Sequence, residues 1–369
     1  MAEFIMDDDQ KQIRETIQRF AQNEFREIAR ECDEENDLPS DLLDKVWKLD
    51  FCSNIIPEKY RGHGMSRSVL NSLIMAEEFA WGDVSLTIGS LSPLLMMIPL
   101  LEFGTEEQKE ELLSRFCSDK FFPATVAMME PRITFSPFTL HTTVDISNDT
   151  MIINGTKCMV PLADRAEHVL VYATTAKGSG TASVEAIIVD KDTPGMIVGE
   201  REKNMGFRPL PLYPVVFKDC EVPQSKRLGG DRGIDYTRII NLSRANFCSM
   251  AVGVARASYA YALNYAKERH AFGEPIASRQ AVAFMLAEAA MEIEAMRLLA
   301  WRAAWRLDRQ EDATRDSTLA KMYCADQIMK ITDYGVQILG GHGYIRDHPV
   351  EMWFRNGRGF ATMEGLAIG

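Results

Sequence analysis

Between Gln337 and Gly365 the chain sets out a glutamine, three glycines in four positions (Gly340, Gly341, Gly343), a cation at Arg355, and a lone carboxylate, Glu364, followed by Gly365. Glycines so close together let a backbone approach a bulky ligand with no Cβ in the way. Glu364 stands among Phe360, Met363 and Leu366, and a carboxylate kept from water in such company is a stronger base than one in solution. The chemistry this suggests is proton abstraction beside a large bound group. The plain alternative is a glycine-capped helix end followed by a frayed tail.

Such a set needs a scaffold, and 369 residues with 46% hydrophobic and 25% charged content suffice for two or three folded domains. The net charge of -12 argues against nucleic acid or an anionic membrane as partner while leaving room for a local basic pocket. Seven cysteines (Cys32, Cys52, Cys117, Cys158, Cys220, Cys248, Cys324) are scattered without a CxxC pair, so neither a disulfide framework nor a zinc site is expected and a reducing, cytoplasmic setting is. Asp7, Asp8 and Asp9 stand where a signal peptide carries positive charge, and the run Leu91–Leu101 is too short, with two prolines, to span a bilayer. The six histidines show no metal-ligand spacing, so no metal is expected. Twenty methionines suit adaptable packing around a large ligand.

Periodicity divides the chain. Over residues 1–122 the pattern is helical: Ile13, Ile17, Phe20 and Phe25 recur at helical spacing, Leu38-Pro39-Ser40 precedes Leu42, Leu43, Val46 and Trp47, and helices are expected over Leu73–Ala80 and Leu86–Leu101. Over 123–230 the period is that of strands, with Val144–Ile146 turning through Ser147-Asn148-Asp149 into Met151–Ile153, a further turn signal at Asn154-Gly155, and runs at His168–Thr174, Val184–Val189 and Tyr213–Phe217. A small antiparallel barrel or sandwich fits. Over 231–369 long helical segments return at Arg238–Arg269, Ser278–Arg309 and Thr314–Leu339, and each needs the others' apolar faces, which makes a bundle. The fold class is therefore α+β and multidomain.

Several motifs in this order resemble the acyl-CoA dehydrogenases: Ile56-Pro57-Glu58-Lys59-Tyr60-Arg61-Gly62-His63-Gly64; Phe103-Gly104-Thr105-Glu106-Glu107-Gln108-Lys109; Arg269-His270-Ala271-Phe272-Gly273-Glu274-Pro275-Ile276 with Gln280; Gln337 to Gly343; Asp347-His348-Pro349-Val350-Glu351; and Glu364-Gly365. The resemblance runs nearly end to end. It implies an amino-terminal all-α domain, a middle β-domain, a carboxy-terminal four-helix bundle, a tetramer built from dimers, and FAD. By resemblance, Arg269, Phe272, Gln280, Gln337, Gly340 and Gly341 hold the FAD of a neighbouring subunit. Glu364, nine positions after Arg355, is the base that takes the α-proton of an acyl-CoA while the β-hydrogen leaves as hydride to flavin N5, and Gly365 stands beside the substrate. Arg244 matches an arginine at the pantetheine and thioester region, with Asn241 where the family carries an aspartate, and an electron-transferring flavoprotein is the implied electron acceptor.

The pattern breaks where the flavin ring is expected. The family's Thr-Glu-Pro reads Met129-Glu130-Pro131, the next turn reads Arg132-Ile133-Thr134-Phe135-Ser136, and the Trp-Ile-Thr run reads Met159-Val160-Pro161. Both threonine hydroxyls are gone, and Pro161 has no N–H to donate. Met129, Met159 and Pro161 are thus expected at the cofactor, and Phe135 and Ser136 at the substrate. Three outcomes stay open: an FAD-dependent acyl-CoA dehydrogenase held by backbone and methionine packing, a flavin-poor subunit in a heterotetramer with a related chain, and a non-redox acyl-CoA isomerase or hydratase.

Overall fold

The computed structural model describes residues 5–147 and 149–369; Asn148, in the middle of the turn expected at 147–149, lies outside them. Caps written in the sequence start the amino-terminal helices. Asp7 opens α1 (Asp8–Phe20) by accepting the Gln10 N–H at 2.8 Å while the Gln10 side chain accepts the Asp7 N–H, which satisfies two donors that a helix start leaves over. α2 (Ala29–Glu35), α3 (Ser40–Trp47), α4 (Phe51–Ile55) and α5 (Val69–Gly82) follow. The apolar run expected as one helix over Leu86–Leu101 is instead two, α6 (Val84–Leu91) and α7 (Leu94–Phe103), bent by 44°. The break falls at Ser92-Pro93, where proline removes a donor and crowds the preceding turn. Both helices are buried in the protein, and no single helix among the described residues is long and apolar enough to cross a membrane. Thr105 and Gln108 form a second reciprocal cap on α8 (Glu106–Leu112). The Gln108 amide also donates to the carbonyls of Ser225 and Arg227 and accepts the Gly229 N–H, joining the first unit to the second.

The middle unit is one sheet of seven strands: β1 (Ala124–Ala127), β2 (Thr143–Ser147), β3 (Thr150–Pro161), β4 (His168–Thr174), β5 (Val184–Asp190), β6 (Met196–Val198) and β7 (Leu212–Pro223), in the order β1-β4-β2-β3-β7-β6 with β5 on β4. Pairing is antiparallel except that β4, antiparallel to β5, runs parallel to β1 and meets β2 in parallel at Thr174. Val144, Met151, Ile153, Val171, Val215 and Phe217 fill the sheet's concave core. Asn154-Gly155, expected to turn, lies within β3, and the register with β7 slips there. A Cβ at Gly155 would fall 2.6 Å from the Thr142 hydroxyl, so the glycine serves a bulge and a close approach rather than a reversal.

The third unit comprises α9 (Tyr236–Glu268), a short hairpin of β8 (His270–Ala271) and β9 (Glu274–Pro275), α10 (Gln280–Asp308), α11 (Thr314–Leu339), α12 (Gly341–Tyr344) and α13 (Val350–Thr362). α9, α10, α11 and α13 pack as a four-helix bundle, and α9 also packs on α5. That contact needs Gly253, whose Cβ would lie 2.2 Å from the Glu77 carbonyl oxygen. Charges at the crossing are paired: Arg256 donates to Glu77 at 2.7 Å and to Glu78 at 2.6 Å, and Arg297 donates to Glu77 at 2.9 Å.

One buried ion pair fixes the segment that leads from the sheet to the interior of the protein. Lys157 on β3 has no exposed surface and donates to the Met128 carbonyl at 3.0 Å and to Glu130 at 3.1 Å. Glu130 also accepts the backbone N–H groups of His141 and Thr142, which closes the loop from 128 to 142. Removing one partner of such a pair strands the other charge. Lys157→Met is therefore expected to lower stability by about 3 kcal/mol, with much of the loss recovered when Glu130→Gln is added; urea unfolding followed by tryptophan fluorescence measures both.

Candidate active site

Glu364 belongs to the segment that leaves α13, and α13 is held firmly before it gets there. Arg355 donates to Asp33 at 3.0 and 2.6 Å, to Glu351 at 2.7 Å and to the Met205 carbonyl. Asp33 is fully buried and is approached by Arg30 and Arg346 as well, and Asn356 accepts the Phe207 N–H at 2.8 Å. Past Thr362 the backbone becomes extended at Met363 and left-handed at Gly365, φ +72°. This turns Glu364 into the space between α9, α11 and the loop after β1.

The carboxylate does not sit in apolar company alone, as its neighbours in the sequence suggested. Arg244 of α9, expected beside the substrate, turns its guanidinium onto Glu364, donating to Oε1 at 2.8 Å through its terminal nitrogen and at 3.2 Å through Nε. Its other terminal nitrogen donates to the Thr318 hydroxyl of α11 at 3.1 Å, and its face lies 4.9 Å from the Phe138 ring centre. The two side chains keep only 8% and 14% of their surface. Such a pair is geometrically fixed and little screened. The Glu364 N–H points at the Met129 sulfur, 3.3 Å away, a weak acceptor. The arrangement presents an oriented, desolvated carboxylate and an N–H that is nearly free, both facing the same interior.

Other expected residues divide. Asn241, expected at the substrate, is buried with its amide engaged between helices: its carbonyl accepts from Ser317 at 2.8 Å and its nitrogen donates to Thr314 at 3.1 Å. Phe135 and Ser136 lie half-buried on the loop after β1, where Ser136 accepts the Phe138 N–H. The Cys158 N–H donates to the Met129 carbonyl at 2.9 Å and so draws β3, which carries Met159 and Pro161, against the 128–130 segment. Met159 takes a left-handed backbone, φ +53°, and its sulfur lies 3.9 Å from the Asn204 amide nitrogen. Beyond Glu364, Gly365, Ala367 and Ile368 pack with Leu95, Val126, Met128, Tyr172, Ile239 and Ser243 around a cavity of about 10 Å³, the size of a single water site.

Arg269, Phe272, Gln280, Gln337, Gly340 and Gly341 gather elsewhere. Arg269 caps the far end of the helix that carries Arg244, roughly 37 Å along its axis at the rise of an α-helix. Phe272 is 98% exposed. The side of the bundle that carries it holds a groove of about 590 Å³ lined by Ala271, Phe272, Ile276, Arg279, Val282 and Ile338. A Cβ at Gly340 or Gly341 would meet nothing within 4 Å, so the backbone there is open to a ligand.

Sequence reasoning missed Lys321, Thr318 and Phe138. A lysine at 321, between Ala320 and Cys324 on the buried face of α11, was the available signal, since lysine is rarely buried without a partner. Gly365 carries the sharp turn out of the site, and a Cβ there would fall 2.5 Å from the Met128 sulfur. Gly365→Ala is expected to cost about 1–2 kcal/mol through its left-handed backbone and this contact, read as a lowered melting temperature by calorimetry.

Three family models match the chain: acyl-CoA dehydrogenase, N-terminal domain, over residues 7–120; middle domain, over 125–220; and C-terminal domain, over 231–367. The mitochondrial short-chain specific acyl-CoA dehydrogenase of Rattus norvegicus is 31% identical over 360 residues, covering 96% of this chain and 86% of that protein. A subunit of the caffeyl-CoA reductase-Etf complex of Acetobacterium woodii is 34% identical over 362 residues, covering 97% and 94%. Among solved structures, the FAD complex of PigA superposes with a TM-score of 0.88 at 25% identity, covering 97% of this chain and 94% of that one.

Proposed function

The chain belongs to the acyl-CoA dehydrogenase family, and from that premise we propose that it catalyses FAD-dependent α,β-dehydrogenation of an acyl-CoA thioester to the 2-enoyl-CoA, with Glu364 as the base. The observation that carries this reading is the Glu364 carboxylate held by Arg244 at the meeting of α9, α11 and the loop after β1. Glu364 takes the α-proton, and Arg244 aims the carboxylate through two hydrogen bonds. The Glu364 N–H, facing only a sulfur, is available to donate to the thioester oxygen as negative charge gathers there. The acyl chain enters the compartment that Ala367 and Ile368 now fill, so binding displaces them. Phe135 and Ser136 line the approach.

FAD, when bound, accepts the β-hydrogen as hydride. The residues present fit it in two parts. Met129, Met159 and Pro161 offer an apolar wall for the ring system, which methionine sulfur packs well against. Arg269, which makes no ion pair among the described residues, and the open Gly340-Gly341 backbone suit a diphosphate and its nucleoside. Because Arg269 lies roughly 37 Å from Arg244 along α9, this group serves the FAD of a neighbouring copy. Phe284, Met291, Leu298 and Trp305 are exposed at seven-residue intervals along α10, with Leu319 and Met322 on α11, the stripe a partner helix covers. A homotetramer accounts for this stripe and for the distant cofactor groups together. The likeness to a subunit of an Etf complex supports an electron-transferring flavoprotein as the redox partner.

Two experiments test the reading. The purified protein is expected to be yellow with about one FAD per chain, and Glu364→Gln, which keeps shape and removes basicity, is expected to retain the flavin and lose at least about a thousandfold in turnover. Undiminished turnover in that variant sinks the base assignment, and flavin present only when a related chain is co-expressed favours the heteromeric alternative. Met291→Glu is expected to yield smaller species in sedimentation velocity with FAD lost in parallel; a tetramer that stays intact removes α10 from the interface.

A further inference from the structure

Lys321 lies on α11 three residues after Thr318, the partner of Arg244, and is buried. Its ammonium donates to the carbonyl of Met363, the residue immediately before Glu364, and stands 4.6 Å from the centre of the Phe247 ring, a cation–π contact. Burial pulls the pKa of this ammonium down, and the negative charge of Glu364 pushes it back up. The other groups around it are Arg244 and Cys248 from α9 and Cys324 from α11. Filling the same space with methionine would cost the fold nothing in desolvation. A lysine kept in this place therefore points to something that only a charged donor supplies.

We propose that Lys321 is a positioning residue for the base: its bond to the Met363 carbonyl fixes the backbone from which Glu364 projects. Arg244 grips the side chain and Lys321 grips the main chain next to it, from two different helices. With both in place the carboxylate has neither the torsional freedom of the extended Met363 nor that of the left-handed Gly365. Loss of the lysine leaves Glu364 present and paired, but its flanking backbone then keeps only the Met363 N–H bond to the Gly359 carbonyl and the weak contact to the Met129 sulfur.

This inference rests on the reading of Glu364 as the base, and the test separates the two. Hydrogen–deuterium exchange of the full-length protein reads the tail without reference to turnover: Lys321→Met is expected to raise exchange across 363–366 while α9 and α11 stay as protected as in the parent, and Lys321→Arg, which restores a donor, is expected to reverse it. In turnover assays Lys321→Met is expected to lower kcat on the order of tenfold to a hundredfold with KM little changed. Unchanged exchange across 363–366 overturns the inference whatever the turnover shows. Raised exchange in a chain whose parent does not dehydrogenate acyl-CoA leaves the tie standing and sinks the function instead. Should Lys321→Met fail to fold, Lys321→Gln provides the same comparison with a polar end in the same space.

Discussion

A helix buried along most of its length leaves its charges nowhere to go, and α9 is such a helix. From Tyr236 to Ala255 it is covered by α5, α10, α11, α13 and the middle unit, so nearly every side chain on every face is inside the protein. Its charged groups, and several of its polar ones, find partners on other elements, while the Ser243 hydroxyl and the Asn246 carbonyl are buried without one. Ser249 reaches the Leu73 carbonyl, Asn241 the hydroxyls of Thr314 and Ser317, Arg256 the two glutamates of α5, and Arg244 Glu364. These pairings hold α9 against α5 and fix it within its own bundle, because a charge left alone in such a place is far more costly than an imperfect surface bridge. The candidate base is thus part of the same set of internal partnerships that holds the units together.

That coupling explains what could and could not be read from the sequence. The order of helices, strands and bundle was legible, because amphipathic periods are local: Thr314–Leu339 was recognised to its end residues, and His168–Thr174 likewise. Asn154-Gly155 misled because a turn dipeptide and a bulge in a long strand share their residues, and only Thr142 approaching from a neighbouring segment decides between them. Glu364 was visible from its neighbours and from the motifs that precede it. Its partner was not: Arg244 lies 120 residues earlier and was assigned to the substrate. The pairing depends on where α13 ends relative to α9, which Asp33, a residue of α2 with no local signal, fixes through Arg355.

The replaced threonines also look different in three dimensions. Met129 is a wall residue and at the same time receives the Glu364 N–H, so the change that removed a hydroxyl from the cofactor side placed a polarizable sulfur at the base. A hydroxyl there would compete for that N–H as a full acceptor; sulfur holds it loosely. On the proposed reading, a flavin ring here would be held by dispersion and shape rather than by directed hydrogen bonds.

The same logic bears on the segment after Glu364. Gly365, Ala367 and Ile368 pack against Met128, Tyr172 and Ile239, held there mainly through apolar contact and through the Gly369 carbonyl, which accepts from Arg67. Met363, by contrast, is tied by a buried ammonium and Glu364 by a guanidinium. Two charged donors from two different helices thus converge on residues 363–364, while Leu366, Ala367 and Ile368 beyond them are buried by apolar packing.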